Sequence, residues 1–214
     1  MHLIKKVIVA AIATAVVAVA QNPITADSPF QIRYASNLTS GDSVINITNS
    51  GANGASLFGP GFGGAAGNIC VNVYAFSPDE QLVSCCSCLV TPNGLVSLSV
   101  VNDLISNTLT GVRPSSVVVK LLSTIAGTGG SGTSCTNSAA APVGIVGGML
   151  AWGTTLHADP TGGFAVTETA FSPATLSAGE LASIGNRCTN IIGNGSSFGI
   201  CRSCRAGGLG GTKR

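Results

Sequence analysis

The stretch Ile69-Cys70-Val71-Asn72-Val73-Tyr74-Ala75-Phe76-Ser77-Pro78, with Cys85-Cys86-Ser87-Cys88 shortly behind it, decides the fold. Residues 69–76 are rich in β-branched and aromatic side chains and are closed by Ser-Pro, which reads as a strand with a turn behind it. Residues 80–90 read as a further strand. Side chains alternate along a strand, so Cys86 and Cys88 share one face and Cys85 points to the other. Cys85 and Cys86 then bond different partners, with Cys70 and the Cys201/Cys204 pair as the natural candidates.

The same two-residue period appears on either side. Phe30-Gln31-Ile32-Arg33-Tyr34 and Val44-Ile45-Asn46-Ile47-Thr48 alternate as half-buried strands do. Residues 95–101 and 116–122 are further strand candidates, as are 144–157 and 164–171. Thr91-Pro92-Asn93-Gly94 is a turn with a mechanism, since Pro fixes φ and Asn-Gly accepts positive φ. Asp159-Pro160-Thr161-Gly162-Gly163 is a second turn. Residues 51–67 and 127–141 read as small-residue loops, and 103–109 as one or two helical turns.

One segment departs from the β pattern. Ser177-Ala178-Gly179-Glu180 fits a capping box, with Leu176 and Leu181 placed as a hydrophobic staple. A helix over 178–192 is predicted, ended by Gly193 and tied to the body through Cys188. The expected fold is mainly β: a disulfide-stapled, antiparallel β-sandwich-like domain with one C-terminal helix. Ala-Phe-Ser-Pro occurs at 75–78 and again at 170–173, which we read as a shared way of leaving a strand rather than as a repeat of two halves.

The N-terminal twenty residues read as a secretory signal peptide. Lys5 and Lys6 precede an apolar run, and Ala18-Val19-Ala20 supplies the small-x-small pattern for cleavage after Ala20. The run is too short to serve as a spanning helix, and no second long apolar segment follows. The expected organisation is a signal peptide at 1–20, a single disulfide-rich domain at 21–205 and a flexible Gly-rich tail at 206–214. An exported location, extracellular or at the cell surface, follows from it.

All eight cysteines lie beyond that signal: Cys70, Cys85, Cys86, Cys88, Cys135, Cys188, Cys201 and Cys204. An even number in an exported chain points to disulfides, because oxidising compartments let them persist. The competing possibility is a metal or cluster site built on Cys85-Cys86-Ser87-Cys88 and Cys201-Arg202-Ser203-Cys204. The first group is C-C-x-C rather than C-x-x-C, and we expect no metal and no cofactor.

Without Lys5 and Lys6, eight of the ten basic residues remain against eight acidic ones, leaving formal charge near zero. Charged residues are 8% of the chain, far below the roughly 25% of ordinary soluble domains. Nucleic acid, which needs a dense basic surface, is not an expected partner. A weakly charged surface also does little to keep copies apart.

No catalytic constellation emerges. Gly195-Ser196-Ser197-Phe198-Gly199 matches G-x-S-x-G, but neither an acidic residue nor a histidine follows Ser197, so we read it as a turn. His157 is the only histidine after the signal, and Asp159 stands too near it in sequence to orient it. Asp79 and Glu80 follow a Pro turn, where carboxylates face water. Glu168, sharing a strand face with Val166, is read as an outward position. The Gly-rich loops at 59–67 and 127–132 lack the Lys-Ser/Thr ending of a phosphate loop. Asn37, Asn46 and Asn194 each begin an N-x-Ser/Thr sequon.

The blocks Asn68-Ile69-Cys70-Val71-Asn72-Val73-Tyr74, 76–88, Gly199-Ile200-Cys201-Arg202-Ser203-Cys204-Arg205, Thr91-Pro92-Asn93-Gly94-Leu95 and Ala151-Trp152-Gly153-Thr154-Thr155-Leu156-His157 resemble a group of cysteine-containing secreted proteins seen in bacterial, especially acidobacterial, genomes. The resemblance implies a bacterial exported protein and brings no activity with it.

Three expectations compete. The first is a non-enzymatic structural or surface protein whose partners are copies of itself, joined through strand edges into a fibre or matrix, with the N-terminal strand as a possible donor. The second is a binding module for glycan or another exported protein, using Trp152, Tyr34 or Tyr74 as a platform. The third is an enzyme in which His157 and Glu168 meet in a cleft.

Overall fold

A computed structural model describes residues 28–57, 66–126, 135, 144–201 and the backbone of 205–206. The segment 1–20 expected to be a signal peptide, Cys204, most of the loop at 127–141 and the residues beyond 206 lie outside the described residues.

Two antiparallel five-stranded sheets face each other. Sheet A runs β4-β3-β6-β1-β9 and sheet B runs β10-β5-β2-β7-β8. The strands are β1 (Phe30–Ala35), β2 (Asp42–Asn49), β3 (Ile69–Phe76), β4 (Leu82–Val90), β5 (Leu95–Ser99), β6 (Val117–Ile125), β7 (Met149–Ala158), β8 (Phe164–Ala170), β9 (Ser172–Pro173) and β10 (Arg205–Ala206). One helix, α1 (Ala178–Gly193), covers the outer face of sheet A. The expected disulfide-stapled sandwich with a C-terminal helix is the fold found.

Alternation explains the layers. Ile69, Val71, Val73 and Ala75 of β3 point between the sheets with Ile45, Ile47, Leu98, Val119 and Leu121. The intervening Tyr74 and Phe76 point outward with Phe30 and Leu122, where Ile184, Cys188 and Ile191 of α1 cover them. Positions 184, 188 and 191 fall on one helical stripe, so a single face of α1 is buried.

The cysteine face assignment holds. Cys86 and Cys88 lie in the inter-sheet core, and Cys85 lies in the layer beneath α1. The bonds are Cys70–Cys135, Cys85–Cys188 and Cys86–Cys201, and Cys88 is disulfide-bonded as well. Cys70 is therefore not the partner of Cys85 or Cys86. Cys70 pairs across the strands with Leu89, whereas Cys85 faces Tyr74, four residues further along β3. That offset is about 13 Å at strand rise, beyond the reach of a disulfide. Cys86 lies on the other face.

Local chemistry sets several boundaries. Ser177 caps α1 as expected, its Oγ accepting from Glu180 N at 3.1 Å. The second half of the box is absent, because the Glu180 carboxylate instead receives Lys120 Nζ at 2.5 Å. The last helical residue is Gly193, with Asn194 as a right-handed cap, and the left-handed backbone falls later, at Gly195 (φ 71°). The turn after β4 has Asn93 at φ 62° and closes with Gly94 N donating to Thr91 O at 2.8 Å.

The helical turns expected at 103–109 appear earlier, as a π-helical turn at Val100–Leu104 that also ends β5 at Ser99. Ser99 Oγ accepts from Asn102 N at 2.9 Å while Asp103 accepts from Ser99 N at 2.8 Å. The two Ala-Phe-Ser-Pro copies do different work. The first ends β3 beside a bulge, whereas the second carries the chain from β8 across to sheet A with Phe171 buried in the core. No helix among the described residues is long and apolar enough to cross a membrane.

Candidate functional site

Strands β7 and β8 form a hairpin closed by the Asp159–Gly163 turn. Gly162 and Gly163 supply φ of 96° and 93°, which an L side chain adopts only with strain. Asp159 accepts from Thr161 N at 2.8 Å and from the Thr161 hydroxyl at 2.6 Å, and these bonds hold its carboxyl below the usual range. Phe171 N donates to Ala151 O at 3.0 Å and Asp159 N to Gly163 O at 3.2 Å, one at each end of the pairing. Hydrogen-bonded pairs alternate in an antiparallel ladder, so the odd-numbered residues of β8 bond β7. The amide and carbonyl groups of Phe164, Val166, Glu168 and Ala170 point away from β7.

Among the described residues nothing bonds them there, because β8 is the end of sheet B. All seven of its residues are exposed, so the strand is open on both faces as well as along its edge. The other three sheet ends differ. β9 and β10 are two residues long, too short to template an added strand. β4 is crossed by the chain itself: Leu109 N donates to Val83 O, Cys85 N to Gly199 O and Cys201 N to Cys85 O, with Cys86–Cys201 fixing the crossing.

Phe164-Ala165-Val166-Thr167-Glu168-Thr169-Ala170 also lacks the usual protection of an edge. It has no Lys and no Pro, and its only charge is Glu168. Phe164 and Val166 stand more than half exposed, at 59% and 57%.

The base of the hairpin is anchored from both sides. On the inner face Arg33 reaches from β1 across the sandwich. Its Nε donates to Thr169 Oγ1 at 3.0 Å, Nη1 to Ser43 Oγ at 2.7 Å and Nη2 to Thr155 Oγ1 at 2.7 Å. Burial lowers the pKa of this guanidinium from its ordinary value. On the outer face a polar ladder crosses sheet B. Ser97 Oγ donates to Asn46 Oδ1 at 2.7 Å, Asn46 Nδ2 to Thr154 Oγ1 at 3.0 Å, and Thr154 Oγ1 to Glu168 Oε1 at 3.0 Å.

The aromatic candidates for a platform do not come together. Tyr74 is buried beneath α1, and burial pushes its phenol up to about 12. Tyr34 is exposed on the outer face of sheet A, while Trp152 is half-buried on the outer face of sheet B, across from Asn46 and Ala170. His157 and Glu168 are also separated. His157 faces Ala165 on the inner side of the hairpin, and Glu168 faces Thr154 on the outer side. Ser197, at φ 65°, accepts from Asn107 Nδ2 through its backbone carbonyl in a turn behind α1, not on a strand-to-helix elbow. Asn37 and Asn194 of the sequons are exposed, whereas Asn46 is buried in the polar ladder.

The sequence marks 164–171 as a strand but not as an open edge, since openness depends on what covers the other sheet ends. Arg33 carries no sequence signal for its role, because two of its three partners, Thr155 and Thr169, come from strands far along the chain. Comparisons with protein-family models, with curated proteins and with solved structures give no match for this chain.

Proposed function

We propose that this is a secreted, non-enzymatic structural or surface protein that associates with copies of itself by adding a strand at β8. The supporting observation is the open seven-residue edge of β8, exposed on both faces, beside sheet ends that are two residues long or crossed by the chain. Such an edge offers a row of backbone donors and acceptors to another strand. Three disulfides indicate an oxidising environment, in keeping with export by the signal at 1–20. Strand addition at β8, joined to a second contact elsewhere on the surface, builds a fibre or matrix; β1 is already paired with β6 and β9, so the N-terminal strand is not the donor that the sequence suggested.

Sedimentation velocity on oxidised protein lacking residues 1–20, with electron microscopy of the same sample, tests this. The expected result is concentration-dependent association that Val166→Glu abolishes, since the added carboxylate sits on the exposed edge beside Glu168 and repels its like on an added copy. A monomer at every concentration overturns it.

A second reading, a binding module for glycan or another exported protein, draws on Trp152 alone. Its half-buried ring lies on the same face as the Asn46–Thr154–Glu168 ladder, and an aromatic face beside amides and hydroxyls suits a sugar ring. A change in Trp152 fluorescence on titration with oligosaccharides, lost in Asn46→Ala, is the outcome that favours it.

A further inference from the structure

We infer that β8 pairs with β8 of a second copy, antiparallel about a two-fold axis through Thr167, so that the strand end to end faces itself reversed. The inference rests on the self-association just proposed and fixes its partner, symmetry and register.

The backbone restricts the choice. Only the even-numbered residues of β8 present free amide and carbonyl groups, so even positions must pair with even positions across the new interface. Antiparallel pairing of identical strands then leaves registers that differ by steps of two. Full overlap sets Phe164 against Ala170 and Val166 against Glu168, each occurring twice by symmetry. Every outward backbone group of the strand is satisfied. A step in one direction sets Glu168 directly against Glu168, where like charges repel. A step in the other pushes Ala170 against Gly162, in the turn, and loses pairing at the end.

Side chains agree with full overlap. On the outer face Phe164 and Val166 of one copy meet Ala170 and Glu168 of the other, and the two carboxylates lie diagonally rather than opposite. On the inner face Thr167 meets Thr167, and cross-strand Thr pairs are favourable in sheets. The arrangement is isologous: it consumes the open edge of both copies and closes at two. The unit formed by β8 is therefore a dimer with a continuous ten-stranded sheet, twice the five strands of sheet B. A fibre needs a further contact elsewhere.

Cysteine scanning tests the register. Thr167 uses its backbone groups toward β7, so across the axis Thr167 and its symmetry mate form a non-hydrogen-bonded pair with Cα atoms about 4.5 Å apart, within disulfide range. Thr167→Cys is expected to give a covalent dimer under mild oxidation, and Ala165→Cys is not, its symmetry mate lying about 13 Å along the strand. Because an added cysteine can disturb native bridges, amide hydrogen exchange on the unmodified chain gives an independent readout. Val166 and Glu168 amides should slow as concentration rises while the Thr167 amide does not change. Linking through Ala165→Cys with none through Thr167→Cys, in a protein that still dimerises, overturns the register and leaves self-association standing. Absence of any dimer overturns both.

Discussion

Arg33 lies directly over Gly153: a Cβ on Gly153 would come within 2.0 Å of Arg33 Cζ. Gly153 belongs to β7 in sheet B and Arg33 to β1 in sheet A, so the missing side chain is what lets a guanidinium cross the sandwich. Once there, it holds hydroxyls on β2, β7 and β8 together. Its partners are all neutral, and the charge is held by hydrogen bonds in place of a carboxylate. Gly153→Ala should therefore destabilise by about 2 kcal/mol or more through overpacking. In an Arg33→Ala background the same change should cost much less, because the atoms it strikes are gone. A double-mutant cycle from urea midpoints reads the coupling, and additive effects would refute the contact as the cause.

The Cys85–Cys188 bond carries α1. It joins β4 to the middle of the helix across 103 residues and sits fully buried in the layer between them. Replacing both cysteines with Ser should cost about 3–5 kcal/mol, and hydrogen exchange should show the loss first in α1. The inter-sheet core has its own bonds, Cys86–Cys201 among them, so protection of β2 and β3 should fall less. Equal loss in all elements would mean that α1 and the sandwich unfold as one unit.

The strands were legible where one face is buried and the other is not. Phe30 to Tyr34 and Val44 to Thr48 alternate because one side of each strand faces the opposite sheet, and the pattern survives in the residues themselves. The split of Cys85 from Cys86 followed from the same period. What the chain did not reveal was anything set by which strands become neighbours. Cys70 looked a natural partner for Cys85 or Cys86, yet register places it four residues from the rung that Cys85 occupies. The capping box at Ser177 was half right, because Lys120 on β6 competes for Glu180 once the helix docks. Openness of β8 is of the same kind. It follows from β8 standing last in sheet B, while residues 199–201 cross β4 and β9 ends after two residues.

Val166 and Thr167 separate the free edge of β8 from its paired one. Val166 points its amide outward, so Val166→Pro removes one donor from the interface and none from the β7–β8 ladder. Thr167→Pro removes a donor that β7 uses. The first should abolish association and leave the thermal midpoint nearly unchanged, since Pro is tolerated on the solvent side of an edge strand. The second should lower the midpoint as the hairpin opens. Sedimentation velocity beside thermal melts checks both, and association persisting in Val166→Pro would count against edge pairing.

Tyr74 gives the molecule an alkaline limit. Its ring is 2% exposed between β3 and α1, and burial pushes the phenol from 10 up to about 12. The native state therefore keeps a proton that the unfolded chain releases above pH 10. The associated stability is fully present below pH 10 and is lost as pH rises from 10 through 12, by about 1.4 kcal/mol for each pH unit. Tyr74→Phe retains the ring and has no proton to lose. Urea midpoints taken at pH 8, 10 and 11, with short incubations to spare the disulfides, should fall steeply above 10 for the natural chain and flatten in Tyr74→Phe. Equal slopes would place the alkaline loss in other groups and would mean that the Tyr74 hydroxyl reaches water in the folded protein.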